Sequence, residues 1–139
     1  MADIEKNKDT IHRMFDEIIN KGQVALVDEL FDPEFESLTP QGAMDREGFK
    51  DYVRVWLTGF PDVRCEVYGL IAEGDEVAWG VRATGTHEGD FMGIPGTGRS
   101  IDFDSLNIGE MRDGRVYRHK VMMDIPTLMA QLGVGPAAG

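Results

Sequence analysis

The sequence predicts a single α+β domain in which helices come first and an antiparallel sheet follows. Three observations carry this prediction. Apolar residues recur at helical spacing before Pro61, they alternate with polar residues after it, and turn signals separate the alternating segments. A chain of 139 residues is one domain by length. We expect residues 1–133 to form that domain and residues 134–139 to form a disordered tail.

Three amphipathic helices are predicted in the first half of the chain. They span residues 4–19, 24–31 and 49–60, and a short extended segment, residues 35–39, precedes the third. Asp3 and Asp45 stand where a helix cap is expected, because an aspartate oxygen can accept hydrogen bonds from the first free backbone N–H groups. Pro33 ends the second helix, since the residue before a proline disfavours helical geometry.

Four strands and a closing helix are predicted after Pro61. The strands span Arg64 to Ala72, Glu76 to Thr86, Ser100 to Arg112 and Arg115 to Met123, and the helix spans Ile125 to Leu132 with Asp124 as its cap. Asp113-Gly114 is a two-residue hairpin signal because such turns need positive φ at both positions. A glycine-rich segment, residues 85–99, holds five glycines and a proline, and we expect it to form a bend and the rim of a cavity.

Composition excludes several classes of function. The formal charge is -11, from 14 Lys and Arg against 25 Asp and Glu, so nucleic acid and anionic membranes are not expected as partners. The single cysteine, Cys65, allows no internal disulfide. With no bilayer-spanning apolar stretch and no signal peptide, these features predict a cytoplasmic protein.

The sequence lacks the spacings of several common sites. His12, His87 and His119 lie far apart, so no metal is expected. Residues 93–98 lead into a strand and not a helix, which argues against nucleotide binding. No G-x-S-x-G elbow occurs, and none of Ser37, Ser100 and Ser105 has an evident base beside it, which argues against serine-hydrolase chemistry.

In the last two predicted strands, the alternation of polar and apolar residues indicates which side chains face the core, because successive side chains of a strand point to opposite faces of the sheet. The face of each strand that carries the charged side chains should be exposed to solvent. Asp102, Asp104 and Arg118 are therefore expected on the outer face of the sheet. The side chains expected to face the cavity are Phe103, Ser105, Asn107, Met111, Tyr117, His119, Val121 and Met123. The predicted cavity is therefore mostly apolar with a few polar groups, as is typical of small-ligand pockets.

Several short motifs carry a resemblance to a known family. They are Phe60-Pro61-Asp62, Gly85-Thr86-His87-Glu88-Gly89, Gly93-Ile94-Pro95, Thr97-Gly98-Arg99, Asp113-Gly114-Arg115 and Gln131-Leu132-Gly133. With the order of helices and strands, they resemble the SnoaL-like polyketide cyclases of the nuclear transport factor 2-like (NTF2-like) superfamily. The resemblance spans about residues 7–133.

The resemblance implies a cone in which N-terminal helices pack on a strongly curved antiparallel sheet and enclose an apolar pocket. It also implies a homodimer through the outer sheet face, and action on small molecules without metal or organic cofactor. The family's aldol cyclases carry an acid/base aspartate where this chain has Val121, and a histidine where it has Asn107. A valine cannot move a proton, so the usual aldol route lacks its proton-transfer pair.

We therefore expect a cofactor-independent cyclase or isomerase that folds a flexible, polyketide-like substrate for shape-guided or cycloaddition-type ring formation. The expected catalytic residues are His119, Asn107 and Tyr117. The expected substrate-binding residues are Phe15, Trp56, Trp79, His87, Phe103, Ser105, Met111, Val121 and Met123.

Each of these assignments has a structural alternative. His119 and the tryptophans are equally typical of a core, His87 of a stabilised turn, and Arg82 of a solvated outer face or an ion pair. Two further functions stay open. One is a ligand-binding or dimerisation module without chemistry. The other is an epoxide hydrolase or ketosteroid-isomerase-like enzyme, which needs carboxylates inside the cone.

Overall fold

The computed structural model, which describes residues 3–39 and 42–134, has four α-helices and one six-stranded sheet. The helices are α1 (Ile4–Arg13), α2 (Val27–Leu30), α3 (Arg46–Gly59) and α4 (Ile125–Leu132), with a π-helical segment (Met14–Ile19) after α1 and a 3₁₀ turn (Val24–Leu26) before α2. The strands are β1 (Phe31–Thr39), β2 (Gly42–Met44), β3 (Arg64–Glu73), β4 (Glu76–Thr86), β5 (Ser100–Arg112) and β6 (Arg115–Met123).

The sheet has the order β2-β1-β6-β5-β4-β3, and its neighbouring strands are antiparallel except for β1 and β6, which run parallel. The predicted α+β class is confirmed, and the sheet is curved and open. The last three predicted strands and the closing helix have the expected bounds. Apolar faces of α1, α3 and α4 pack on the sheet and form one core.

The second predicted helix is shorter than expected. It ends at Leu30, and Phe31, predicted as its last residue, is instead the first residue of β1 with φ −110° and ψ 140°. The physical reason is a long-range contact, since Phe31 pairs with Val116 of β6 and its side chain is fully buried. Periodicity within one segment carries no information about such a partner.

All three predicted aspartate caps are present. The Oδ1 atoms of Asp3, Asp45 and Asp124 accept from backbone N–H groups three residues ahead, at 3.0, 2.8 and 3.2 Å. At the other end of α4, the N–H of Val134 donates to the carbonyl of Met129 at 3.0 Å. The rest of the predicted tail, residues 135–139, lies outside the described residues. No helix in the described part of the chain is long and apolar enough to cross a membrane.

The glycine-rich segment packs tightly against the end of α3. The N–H groups of Glu88 and Gly89 donate to the carbonyl of Gly59 at 3.0 and 3.2 Å. A Cβ atom at Gly89 would lie 2.2 Å from the backbone oxygen of Thr58, so this close approach requires glycine. Phe91, 2% exposed, projects from the segment onto Trp56 of α3 with 4.6 Å between ring centroids. The segment therefore fixes the position of the helix that carries one wall of the pocket.

Candidate active site

A pocket lies between the helical layer and the inner face of β4, β5 and β6. Its volume is about 60 Å³. The lining side chains are mostly apolar and include none that is formally charged at neutral pH within the described part of the chain; they are Met14, Phe15, Ile19, Thr39, Phe49, Tyr52, Val53, Trp56, Val63, Cys65, Val81, Ala83, Phe103, Ser105, Asn107, His119, Val121 and Met123. A cavity of this size has room for a few water molecules. A larger substrate therefore needs side chains of the wall to move.

Four polar side chains form a hydrogen-bonded chain at the sheet side of this pocket. Ser37 Oγ lies 2.9 Å from His119 Nδ1, and His119 Nε2 lies 2.8 Å from Asn107 Oδ1. Asn107 Nδ2 donates to Ser105 Oγ at 3.2 Å. Ser37, Asn107 and His119 are buried, whereas Ser105 is half-buried and lines the pocket. We call these four residues the polar chain.

His119 is held as a neutral imidazole. Burial lowers its pKa to about 4, because a low-dielectric surrounding disfavours the charged ring. The indole of Trp79 stacks on the ring, with centroids 5.6 Å apart and planes 9° apart. Since both ring nitrogens already have hydrogen-bond partners, His119 can accept a substrate proton only after one of those bonds breaks.

Sequence reasoning missed Ser37. It was expected to lack a base, and that expectation is wrong, because β1 and β6 pair in parallel with Ser37 opposite His119. The partners are 82 residues apart in sequence. Ser37 is 0% exposed and does not line the pocket, so its hydroxyl serves the imidazole and cannot reach a substrate.

Sequence reasoning also missed Tyr52, which it assigned only to the apolar face of the third helix. The hydroxyl of Tyr52 enters the pocket from α3 and donates to Met123 Sδ at 3.5 Å. Burial raises its pKa to about 12, so the phenol stays protonated. A thioether sulfur is a weak acceptor, so this O–H can exchange it for a substrate oxygen. Helical spacing four residues before Trp56 is the signal that could have indicated this position.

Tyr117 does not face the pocket, contrary to the prediction. The β5–β6 register shifts between Glu110↔Arg118 and Met111↔Val116, so Tyr117 is the extra residue of a β-bulge. The bulge turns Val116, 0% exposed, into the core and Tyr117 away from it. The Tyr117 ring lies between two guanidinium groups, those of Arg112 and Arg118, each 3.9 Å from its centroid.

The other predicted site residues divide into two groups. Those that line the pocket are Phe15, Trp56, Phe103, Ser105, Asn107, His119, Val121 and Met123. Trp79, Met111 and His87 do not. Trp79 lies behind His119, and Met111 is buried near the Asp113-Gly114 turn, where it borders a separate polar cleft.

His87 is fully buried beneath the glycine-rich segment. Its Nδ1 accepts from the backbone N–H of Thr97 at 3.2 Å and lies 3.0 Å from the Thr97 hydroxyl. Phe60 and Phe91 flank the ring, with centroids 5.3 and 6.5 Å away. The contacts are those of a residue that stabilises the fold of this segment.

Carboxylates lie on the outer sheet face, as alternation predicted. Asp102 receives two hydrogen bonds from the guanidinium of Arg82, at 2.9 and 2.5 Å, and both side chains are about half exposed. This ion pair lowers the pKa of Asp102. Asp104 is exposed beside it.

Two other reactive groups have limited chemistry. Burial raises the pKa of the Cys65 thiol to about 12, so this pocket residue is a poor nucleophile. Within residues 3–39 and 42–134, no three His, Cys, Asp or Glu side chains come together in a way that would hold a metal ion.

An α+β fold with an apolar pocket and a few convergent polar groups is typical of the class of domains that bind small molecules. The particular family follows from comparison with known proteins. A family model described as SnoaL-like polyketide cyclase matches residues 9–132, so the chain belongs to the SnoaL-like polyketide cyclase family.

Solved structures give the same result. The chain is 34% identical to IdmH from Streptomyces antibioticus, a candidate polyketide cyclase, over 92% of this chain and 99% of that one, with a TM-score of 0.81. It is 27% identical to a candidate SnoaL-like polyketide cyclase from Jannaschia sp. CCS1, over 95% and 94% of the two chains, with a TM-score of 0.86. AclR from Streptomyces galilaeus, a candidate hydroxylase, shares the fold at 24% identity, 96% and 100% coverage and a TM-score of 0.86. No curated protein matches the sequence.

Proposed function

We propose that the protein is a cofactor-independent cyclase or isomerase that folds a flexible, largely apolar polyketide for ring formation. One observation carries the proposal. Three polar side chains of a mostly apolar pocket, Ser105, Asn107 and His119, belong to one neutral hydrogen-bonded chain, and no carboxylate lines the pocket in the described part of the protein. The similarity to candidate cyclases supports the general class of reaction.

The polar chain suits a ring closure that needs no net proton transfer. An aldol closure begins when a base removes a proton next to a carbonyl. The pocket offers His119 for that task, but its pKa is about 4 and its ring nitrogens are occupied. Cycloaddition converts π bonds into ring σ bonds without a base, and an apolar pocket promotes it by holding the reacting ends together. Positioning of that kind contributes about 7–11 kcal/mol in favourable systems.

The lining of the pocket argues against an epoxide hydrolase or a ketosteroid-isomerase-like enzyme. Epoxide opening and ketosteroid isomerisation both need a carboxylate at the substrate. Asp102 and Asp104 are on the outer face, and Asp102 is already paired with Arg82. A ligand-binding module without chemistry is the competing function, because an internally satisfied polar chain is also what a passive pocket would contain.

The first prediction concerns turnover. A strain lacking the gene should accumulate a linear precursor, and the purified protein should convert it to a product of identical mass but different chromatographic retention. Asn107→Leu breaks the polar chain and should slow conversion about 10- to 100-fold, because the loss of a hydrogen bond that stabilises the transition state costs roughly 1–3 kcal/mol. Asp104→Asn, on the exposed outer face, is the matched control and should not change the rate.

Tight binding of the precursor without conversion would contradict this function and indicate a passive module. Loss of one water from the product would indicate an aldol condensation and contradict ring closure without proton transfer. Undiminished rates for both Asn107→Leu and His119→Gln would exclude a catalytic role for the polar chain.

We also propose that the protein forms a homodimer through the outer face of the sheet. Two adjacent cross-strand rows on that face are largely apolar: Tyr68, Gly80, Leu106 and Met122 in one, and Ile71, Ala78, Ile108, Lys120 and Leu38 in the next. Leu106, Met122 and Ile71 are 65%, 67% and 67% exposed. A contiguous exposed apolar patch of this kind is typical of a protein interface.

The second prediction tests this interface by sedimentation. The unmodified protein should sediment as a dimer, and Leu106→Glu should shift it to monomer, because each interface would bury two added charges. Asp104→Asn, two residues away on the same face, should leave the dimer intact. A dimer that persists in Leu106→Glu would place the interface elsewhere.

A further inference from the structure

The heavy-atom distances in the polar chain are compatible with two directions of donation along its hydrogen bonds. In one direction, each group from Ser37 onward donates to the next, and the last hydroxyl, that of Ser105, keeps its own proton free. In the other direction, Ser105 donates to Asn107 and offers only lone pairs to the pocket. The two directions present opposite chemistry to a bound substrate, so the direction decides what the pocket recognises.

Ser37 determines the direction. Its hydroxyl is 0% exposed, and His119 Nδ1 is its hydrogen-bond partner among the described residues. If Ser37 only accepted, its own O–H would be buried without a partner, which carries a free-energy penalty. If Ser37 donates to Nδ1, its O–H and the Nε2–H of His119 both have acceptors, namely His119 Nδ1 and Asn107 Oδ1. The imidazole proton is then on Nε2.

The remaining bonds follow from that proton. Nε2–H of His119 donates to Asn107 Oδ1, which fixes the orientation of the amide and directs its Nδ2 to Ser105. Ser105 Oγ accepts that bond, so its O–H is not used within the chain. Ser105 is half-buried and lines the pocket. Successive bonds that all run in one direction polarise one another and strengthen the final donor.

We propose that the Ser105 hydroxyl is the hydrogen-bond donor that receives a carbonyl oxygen of the substrate, and that Ser37 is the positioning residue that sets its direction. The proposal rests on the proposed function for the role of the carbonyl, but the direction of the chain can be measured without any substrate. Both ring nitrogens of His119 are bonded within the chain, whereas the O–H of Ser105 is the proton that the chain leaves free at the pocket. A neutral donor at a carbonyl accelerates ring closure by stabilising the negative charge that grows on that oxygen.

The first experiment is nitrogen-15 NMR of the histidine rings in the ligand-free protein. His119 should show the Nε2–H tautomer at pH 7, with Nδ1 as a hydrogen-bond acceptor. His87 is an internal reference, because its Nδ1 accepts from a backbone N–H and its proton is therefore also on Nε2. Ser37→Ala should move the Nδ1 resonance of His119 toward that of an unbonded nitrogen. An Nδ1–H tautomer in the unmodified protein would overturn the proposal.

The second experiment measures the donor with two small probes of matched shape. Acetophenone has a carbonyl oxygen where α-methylstyrene has a CH₂ group, and both fit an apolar pocket in the same way. The unmodified protein should prefer acetophenone, and Ser105→Ala should reduce that preference about five- to tenfold. Ser105→Thr keeps the hydroxyl and should retain the preference.

The outcomes separate this inference from the proposed function. An equal preference in Ser105→Ala and the unmodified protein, or no saturable binding of acetophenone, would overturn the donor role. Turnover without any dependence on Ser105 would leave the cyclase standing and refute the inference. The expected tautomer and probe preference in a protein that does not convert its precursor would support the donor and refute the cyclase.

Discussion

Replacing Val121 with aspartate is expected to destabilise the protein by about 4 kcal/mol at pH 7.5, although this residue type is the one that the family's aldol cyclases use there. Val121 is 5% exposed and lines the apolar pocket. No lysine or arginine lines the pocket in the described part of the chain, and neutral His119 is the one titratable neighbour on its strand face. Burying a polar group in such a site costs roughly 1–3 kcal/mol, and ionising it there costs more.

The pH dependence of the unfolding free energy distinguishes the cost of burying a charge from the cost of burying a neutral polar group. Burial raises the pKa of a carboxyl above its unfolded value of about 4, so the folded state retains a proton that the unfolded state has lost. The stability of Val121→Asp should therefore fall as pH rises, by about 1.4 kcal/mol per unit until the folded-state pKa is reached. Urea denaturation at pH 5 and pH 7.5 should show about 2–3 kcal/mol of extra loss relative to Val121→Asn. A difference between the two variants that does not change with pH would mean that the pocket solvates the charge.

This prediction follows from the neutral surroundings of the site. His119 is bound to two uncharged side chains, Ser37 and Asn107, and no carboxylate lines the pocket in the described part of the chain. Asn107 and Val121 are both uncharged and suit such a site. Val121→Asp would introduce a charge there without a cation to pair with it.

Patterns of neighbouring residues in the sequence were sufficient to predict most of the fold. Side-chain alternation in β5 placed Phe103, Ser105 and Asn107 inside and Asp102 outside, because this strand has no irregularity between Ser100 and Glu110. The three aspartate caps were likewise predictable, since a cap depends on backbone groups only three residues away.

The residues that were mispredicted depend on partners far along the chain. Ser37 reaches His119 only because β1 pairs with β6, and no local signal specifies a parallel partner that distant. Tyr117 is turned outward by a bulge, because one inserted residue reverses the alternation on one side of it relative to the other. His119 was correctly placed because it lies on the far side of the bulge, in register with Gly109.

A second large effect is expected from His119→Gln, whose difference in stability from the unmodified protein should depend on pH below about 6.5. The folded-state pKa of His119 is about 4, against 6.5 for an unperturbed histidine. Between these values the unfolded state binds a proton that the folded state does not. The stability that neutral His119 contributes is therefore fully present above pH 6.5 and is lost as pH falls toward 4. The difference corresponds to about 3 kcal/mol, at roughly 1.4 kcal/mol per pKa unit.

The measurement compares stability curves of the two proteins from pH 7.5 to pH 4. Aspartates such as Asp32 and Asp62, whose pKa values are lowered by hydrogen bonds, also reduce stability in acid, but they do so in both proteins and cancel in the difference. The stability advantage of the unmodified protein over His119→Gln should shrink by about 3 kcal/mol across this range. His12→Gln makes the same substitution at an exposed position of α1 and is the matched control. A pH-independent difference for His119→Gln would mean that water reaches the imidazole, and a neutral polar chain would then be the wrong description of the site.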